Sequence, residues 1–352
     1  MTSRRRWLIF SAATIVIAVA LTTAVLLAVD VYLHGRFERT AGFNVWGYRG
    51  PTVGRKKANE YRVVVLGGSA AYGYGVTSDQ AIPAQLEQLL RKHTQSPVFT
   101  VVNLGYNNEG AYSFKATLED YAWLHYDLAL LYEGYNDISD RRPNTQIFRH
   151  DSPMFRLTGY MPIFPIIFNE KAAVMLSGDP GALYGDSAKT VFHASLAAKT
   201  GATVLTTTAG VAKALEAQLG RVAAEPPPRI EDGTHTGCER WSQYCRSIEL
   251  AAELSRRNGA QVIVATQPYL RLEEKLQKLH MEQQSALRDF LMRRFGNDRD
   301  VKYVNLGDVV DLENPHLSFD HMHLRAEGNT RVAAQLVEPV LEMAALRTHQ
   351  SR

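Results

Sequence analysis

Four side chains suited to nucleophilic catalysis lie after predicted strands or near the C-terminus. Ser69 comes shortly after the apolar run Arg62–Leu66. Asn136 follows a later apolar run, and Asp320 and His323 lie close to the end of the chain. These residue types match the nucleophile, the base, the orienting carboxylate and the hydrogen-bond donor that catalysis by an activated serine requires.

Each of these groups has a definite task in acyl chemistry. A serine hydroxyl is a weak nucleophile until a base takes its proton, and His323 is the candidate base for Ser69. Asp320, three residues before His323, would hold the imidazole in one tautomer and stabilise its protonated form. We expect three oxyanion donors, which are the backbone N–H groups of Ser69 and Gly105 and the side-chain amide of Asn136.

The elements that must position these residues alternate between strand and helix from Tyr61 onward. The predicted strands are 62–66, 98–104, 127–132, 261–266 and 302–306. The predicted helices are about 79–93, 113–123, 242–258, 272–295 and 325–347. This order predicts a parallel sheet with helices on both faces, and such sheets gather reactive groups at the carboxyl ends of their strands.

The stretch from about 140 to 236 breaks the alternation, and we interpret it as an insertion or lid over the strand ends. It opens with Arg141-Arg142-Pro143 and closes with Pro226-Pro227-Pro228. Its apolar patch Tyr160–Phe168 is too short to span a bilayer. The patch could dock on a membrane surface, line an acyl pocket or pack against the core of the domain itself.

The N-terminal segment Trp7–Val29 contains no charged residue and is long enough to cross a hydrocarbon core of roughly 30 Å. A cleaved signal peptide would have a shorter apolar region and a small-residue cleavage site, so we expect an uncleaved signal anchor. The preceding Arg4-Arg5-Arg6 predicts a cytoplasmic N-terminus and a periplasmic or extracellular domain.

The predicted organisation has three parts. Residues 1–30 form the basic tip and the anchor, residues 31–60 form a juxtamembrane linker, and residues 61–352 form the catalytic domain. The composition, with 45% hydrophobic and 21% charged residues, is that of a globular protein. The net charge of +3 comes partly from the N-terminal arginines, so nothing indicates a nucleic-acid partner.

The two cysteines, Cys238 and Cys245, are a candidate disulfide in an exported protein. A continuous helix would hold their Cα atoms about 10 Å apart, which is too far for a disulfide. The bridge therefore requires Cys238 to lie in a turn before the helix. Two free thiols are the alternative, while a zinc site with His235 lacks a fourth ligand.

Four short motifs, in this order, resemble those of SGNH hydrolases, the GDSL-like lipase/acylhydrolase superfamily. They are Gly67-Gly68-Ser69, with GGS in place of the commoner GDS, Asn103-Leu104-Gly105, Gly134-Tyr135-Asn136-Asp137 and Asp320-His321-Met322-His323. The resemblance frames residues 61 to 346. It implies a five-stranded parallel sheet in a flavodoxin-like three-layer α/β/α sandwich, with Ser69, Gly105, Asn136 and His323 as site residues, Asp320 orienting the base, and no metal or organic cofactor.

Other interpretations of single motifs stay open. Gly67-Gly68-Ser69 could be a phosphate-binding loop, although the Walker lysine is missing. Asn136-Asp137 could be a turn pair, and His321 competes with His323 as the base. A catalytically silent binding or scaffold module of the cell envelope would carry the same residues without using them.

The sequence therefore predicts an exported serine esterase that acts through an acyl-enzyme on acyl or acetyl esters of cell-envelope glycans or lipids. An O-acyltransferase would use the same residues, so the motifs do not separate transfer from hydrolysis. The expected partners are this ester substrate and the membrane, and the sequence indicates no particular protein partner.

Overall fold

A computed structural model describes residues 3–40, 42–139, 147–165, 167–168, 210 and 238–350. Its centre is a single sheet of five strands, which are β1 (Glu60–Leu66), β2 (Val98–Asn103), β3 (Leu128–Tyr132), β4 (Gln261–Ala265) and β5 (Val301–Val304). All neighbouring strands pair in parallel, in the order β2-β1-β3-β4-β5. This is the flavodoxin-like strand order, and the predicted fold class is confirmed.

Alternate residues of each strand point to opposite faces of the sheet, and helices bury both faces. Val64 and Leu66 of β1 pack on one face, and Val63 and Val65 pack on the other. Helices Phe114–Asp120, Ser242–Arg257 and Glu274–Phe295 cover the first face. Helices Ile82–His93 and Ala326–Gln350 cover the second, which completes the three layers.

Two predicted helices are shortened by adjoining 3₁₀ turns. The helix predicted from residue 79 begins at Ile82, after a 3₁₀ turn over Ser78–Gln80, because Pro83 fits the first helical turn. The helix predicted over 113–123 is broken into Phe114–Asp120 and a 3₁₀ turn, which His125 ends with a φ of 49°. In the part of the chain that the structure describes, the remaining short α-helices are Ser69–Tyr72 and Pro153–Thr158.

The N-terminal helix runs over Ser3–Phe37 and is longer than the predicted span. Its stretch Arg4–Phe37 has a window of mean hydropathy 2.5 that is not buried inside the protein. By length and composition it is able to cross a membrane, a property that signal sequences share.

The last turns of this helix are packed into the folded domain. The Asp30 carboxylate accepts hydrogen bonds from the backbone N–H groups of Ile163 (2.8 Å) and Phe164 (2.6 Å). His34 Nε2 lies 2.9 Å from the carbonyl oxygen of Met161. Asp30 and His34 are both buried, so the C-terminal end of the helix is held by specific polar contacts.

The described part of the apolar patch Tyr160–Phe168 packs against this end of the helix. Ile163 and Phe164 are buried in a cluster with Leu33, Phe43 and Tyr72. These residues therefore pack against the protein itself, which was one of the three alternatives for the patch. Most of the predicted insertion, with both of its proline-containing ends, lies outside the described residues.

Candidate active site

Ser69 lies directly beyond the carboxyl end of β1, at the first position of a single helical turn. The turn ends at Gly73, whose φ of 86° is in the left-handed region that favours glycine. This sharp strand-to-helix turn leaves Ser69 partly exposed between buried neighbours. Ser69 Oγ is 2.8 Å from His323 Nε2, a hydrogen-bond distance.

Asp320 holds His323 through two separate contacts. Its Oδ2 lies 2.6 Å from His323 Nδ1, and its Oδ1 accepts the backbone N–H of His323 at 2.6 Å. Because Nδ1 faces a carboxylate, it carries the proton and leaves Nε2 as the acceptor toward Ser69. Burial raises the pKa of Asp320, but the hydrogen bonds from His323 outweigh it and hold this pKa below its usual value.

The competing base His321 is placed away from the serine. It is exposed and has a φ of 63°, at the tip of the turn between Ser318 and Leu324. The structure therefore brings His323, and not His321, to Ser69.

Asn136 lies in the 3₁₀ turn Tyr135–Asp137 that follows β3. Its Nδ2 donates one hydrogen to the carbonyl oxygen of Glu109 at 2.9 Å, and an amide nitrogen has a second hydrogen to offer. The Asp137 carboxylate accepts the backbone N–H of Ala111 at 2.9 Å. Asn136 and Asp137 thus tie the loop after β3 to the loop after β2.

Gly105 approaches the helical turn of Ser69 very closely. A Cβ atom at this position would lie 2.7 Å from the backbone nitrogen of Tyr72, so only glycine fits. The N–H of Gly105 donates to Asn103 Oδ1 at 3.0 Å, and Asn103 Nδ2 donates to the carbonyl oxygen of Ala71 at 3.0 Å. The amide of Gly105 is therefore already hydrogen-bonded, and its oxyanion role stays a prediction.

Two buried arginines that the motif search did not single out hold the same loops. Arg49 Nη1 donates to the carbonyl oxygens of Tyr72 and Gly73, each at 2.7 Å. Arg149 Nη2 donates to the carbonyl oxygen of Leu104 at 2.6 Å. No local sequence pattern marks either arginine, because each acts on a loop distant in sequence.

Two aromatic rings lie beside the imidazole of His323. The ring of Tyr74 is 4.9 Å from it and that of Phe319 is 5.8 Å away, measured between centroids. The side chains are 50% and 39% exposed, respectively. They form an aromatic wall beside the candidate base that is accessible to solvent.

The remaining predicted site residues are the cysteines. Cys238 is bonded to Cys245, with Cα atoms 6.2 Å apart. Cys238 lies just before a 3₁₀ turn over Glu239–Trp241 and Cys245 lies within the following helix, which is the arrangement that a bridge requires. Among the described residues, no group of three or more metal-binding side chains is found.

The model of the GDSL-like Lipase/Acylhydrolase family matches residues 65–331. Among solved structures, the hydrolase LAE5 from the metagenome of Lake Arreo is 12% identical, with 82% of this chain and 99% of LAE5 covered and a TM-score of 0.44. A catalytic mutant of the acetylxylan esterase Axe2 from Geobacillus stearothermophilus is 10% identical, with coverages of 80% and 94% and a TM-score of 0.42.

A carbohydrate acetylesterase family member from Sinorhizobium meliloti is 14% identical, with coverages of 81% and 99% and a TM-score of 0.38. No curated protein matches the chain. The matched range includes every candidate site residue of the catalytic chemistry, from Ser69 to His323. The chain therefore belongs to the GDSL-like lipase/acylhydrolase family.

Proposed function

We propose that the protein is an exported, membrane-anchored serine esterase that cleaves acyl or acetyl esters through an acyl-enzyme. The observation that carries this proposal is the continuous chain of contacts from Ser69 Oγ to His323 Nε2 (2.8 Å) and from His323 Nδ1 to Asp320 Oδ2 (2.6 Å). It has the order of nucleophile, base and orienting carboxylate that acyl transfer requires.

In the first half of the reaction, Ser69 Oγ attacks the ester carbonyl carbon while its proton passes to His323 Nε2. The Asp320 carboxylate stabilises the resulting imidazolium, since its lowered pKa keeps it ionised. The imidazolium then protonates the leaving alcohol as the bond between the carbonyl carbon and the alcohol oxygen breaks. An acyl group remains on Ser69 Oγ.

The negative oxygen of the tetrahedral intermediate needs donors that are already in place. The backbone N–H of Ser69 lies at the start of a helical turn, where amides have no acceptor within the helix. The second hydrogen of Asn136 Nδ2 is the other donor. Gly105 would join them by turning its N–H from Asn103 toward the oxyanion.

In the second half, an acceptor hydroxyl gives its proton to His323 Nε2 and attacks the acyl carbonyl carbon. The bond between this carbon and Ser69 Oγ then breaks, and Oγ takes the proton from His323. Water gives hydrolysis, and the hydroxyl of a second substrate gives acyl transfer. Both outcomes use the same residues, so the products identify the acceptor.

The packing of the N-terminal helix supports retention of the anchor. Its buried end, with Asp30 and His34 bonded to the segment Met161–Phe164, is part of the folded domain. Cleavage within or after residues 30–34 would remove these buried polar partners and expose the apolar cluster around Leu33. A retained anchor holds the site near the cell envelope, which favours envelope glycans or lipids as substrates.

The test is hydrolysis of p-nitrophenyl acetate, of longer acyl esters and of acetylated glycans by the wild type and by Ser69→Ala. We expect the wild type to release acid from at least one ester and the variant to lose this activity by at least about 10³-fold. Equal rates for the two proteins would contradict the mechanism. Transfer of the acyl group to an added glycan, in place of release, would identify an acyltransferase.

A further inference from the structure

The carboxylate of Glu133 lies between two loops of the candidate site and has no role in the chemistry described above. It is 2% exposed and directly follows β3. Oε2 accepts the backbone N–H of Gly68, the residue before Ser69. Oε1 accepts the N–H groups of Gly134 at 2.9 Å and of Asn136 at 3.1 Å.

One side chain therefore hydrogen-bonds both the loop that carries the nucleophile and the loop that carries the oxyanion donor. The space around Gly68 leaves no room for a side chain on Gly68 itself, and the carboxylate beside it belongs to Glu133, directly after β3. A Cβ atom at Gly68 would overlap Asn136 Nδ2 and would lie 2.7 Å from Glu133 Oε2. Gly68 occupies the position at which the commoner GDS motif has aspartate. Here the side chains of Glu133 and Asn136 fill the space that an aspartate side chain would need.

We propose that Glu133 is a positioning residue, which fixes the backbone of Gly68 and Ser69 relative to Asn136 so that both donors face the same oxyanion. The inference rests on the proposed function. Its physical basis is that three backbone donors converge on two carboxylate oxygens in a buried place, where an unpaired N–H is costly.

The charge of Glu133 is part of this role. A carboxylate accepts at both oxygens, whereas glutamine would present an NH₂ group to one set of N–H donors. Several titratable side chains face Glu133 from the elements packed around it. They are Tyr132 on β3, Tyr135 and Asp137 on its own loop, and Tyr244 on the helix Ser242–Arg257. His280 on the helix Glu274–Phe295 lies beside the adjacent Gly134, where a Cβ atom would be 3.3 Å from His280 Nε2.

None of these groups supplies a positive charge. Burial lowers the pKa of His280 to about 3, so it is neutral at working pH. Burial and then the charge of Asp137 raise the pKa of Glu133 to about 7, although its backbone hydrogen bonds act in the opposite direction. Protonation of Glu133 near neutral pH would remove an acceptor from the donors of the two loops.

The experiment compares the wild type with Glu133→Gln, using kinetics on p-nitrophenyl acetate and the rate of fluorophosphonate labelling between pH 5 and 9. We expect kcat to fall by about 10²-fold with KM nearly unchanged, because the donors are misplaced by a fraction of an ångström. On the acid side, kcat/KM of the wild type should fall more steeply than a single ionisation allows, and Glu133→Gln should show one ionisation.

The matched control is Glu249→Gln. Glu249 is also buried and paired with arginines, but it lies on the helix Ser242–Arg257 away from Ser69. We expect it to keep the wild-type rate and pH profile. If Glu133→Gln fails to fold, Glu133→Asp takes its place, because it keeps the charge but draws the carboxylate back from Gly68 by one methylene; a kcat within twofold of the wild type would then overturn the inference.

Two results would overturn the inference. One is a kcat of Glu133→Gln, or of Glu133→Asp in its place, within twofold of the wild type, and the other is a wild-type acid limb with a single ionisation. The failure of the proposed function looks different, because Ser69→Ala would then retain full activity whatever the behaviour of Glu133→Gln.

Discussion

Gly68 is a position at which one added methyl group should disturb catalysis directly. A Cβ atom there would overlap Asn136 Nδ2 and lie 2.7 Å from Glu133 Oε2 and 2.8 Å from the carbonyl oxygen of Glu109. Its φ of −80° is accessible to alanine, so the effect of Gly68→Ala comes from the contacts. Because non-bonded atoms need about 3.5 Å, the Asn136 amide has to withdraw by more than about 1 Å.

The displaced amide would no longer reach the oxyanion. Loss of one such donor typically costs about 10²–10³ in kcat, and overpacking typically costs about 1–3 kcal/mol of stability. We therefore expect Gly68→Ala to lose about 10²-fold or more in kcat toward p-nitrophenyl acetate while it still folds. Steady-state kinetics and thermal unfolding of the same preparation measure both effects.

Gly54→Ala is the matched control, because a Cβ atom at Gly54 meets no other atom within 4 Å. It should retain the wild-type kcat and unfolding temperature. A Gly68→Ala variant with kcat within threefold of the wild type would refute the placement of Asn136 against the nucleophile loop.

Two further predictions concern the carboxylate of the triad and the disulfide. Asp320→Asn should lower kcat by about 10³–10⁴-fold with little change in KM, because asparagine favours the wrong tautomer of the His323 imidazole. A loss of kcat below tenfold would show that Asp320 does not orient His323. Cys238→Ser combined with Cys245→Ser should lower the free energy of unfolding by about 2 kcal/mol, as expected for a bridge with a sequence separation of 7. Denaturant unfolding with and without reductant measures this change. Equal midpoints for the oxidised wild type and the double variant would contradict it.

The sheet and the strand-end residues were predictable because they depend on local pattern. β-Branched runs followed by glycine mark buried strands, and parallel strands bring their carboxyl ends to one edge. That rule alone predicts that Ser69 and Asn136 lie at the same edge of the sheet. The DxxH spacing favours His323 over His321 as the base, and His323 is the histidine that contacts Ser69.

The contacts that shape the site depend on residues far apart in sequence. Glu133 appears in the sequence as the residue before a glycine, and only the parallel pairing of β1 with β3 brings it to Gly68. The hydrogen bond from Gly105 to Asn103 is local, but nothing in the motif shows which way that amide points. The docking of Asp30 on Ile163 joins segments whose order in the chain predicts no contact.

Labelling by a fluorophosphonate probe, with the labelled residue located by peptide mass spectrometry, tests directly whether Ser69 is the nucleophile. We expect one label on Ser69 Oγ of the wild type, no label on Ser69→Ala and slow labelling of His323→Ala, because the probe reacts only with an activated serine. Labelling of Ser69→Ala at the wild-type rate, or a label on another residue, would contradict the assignment of Ser69 as the nucleophile.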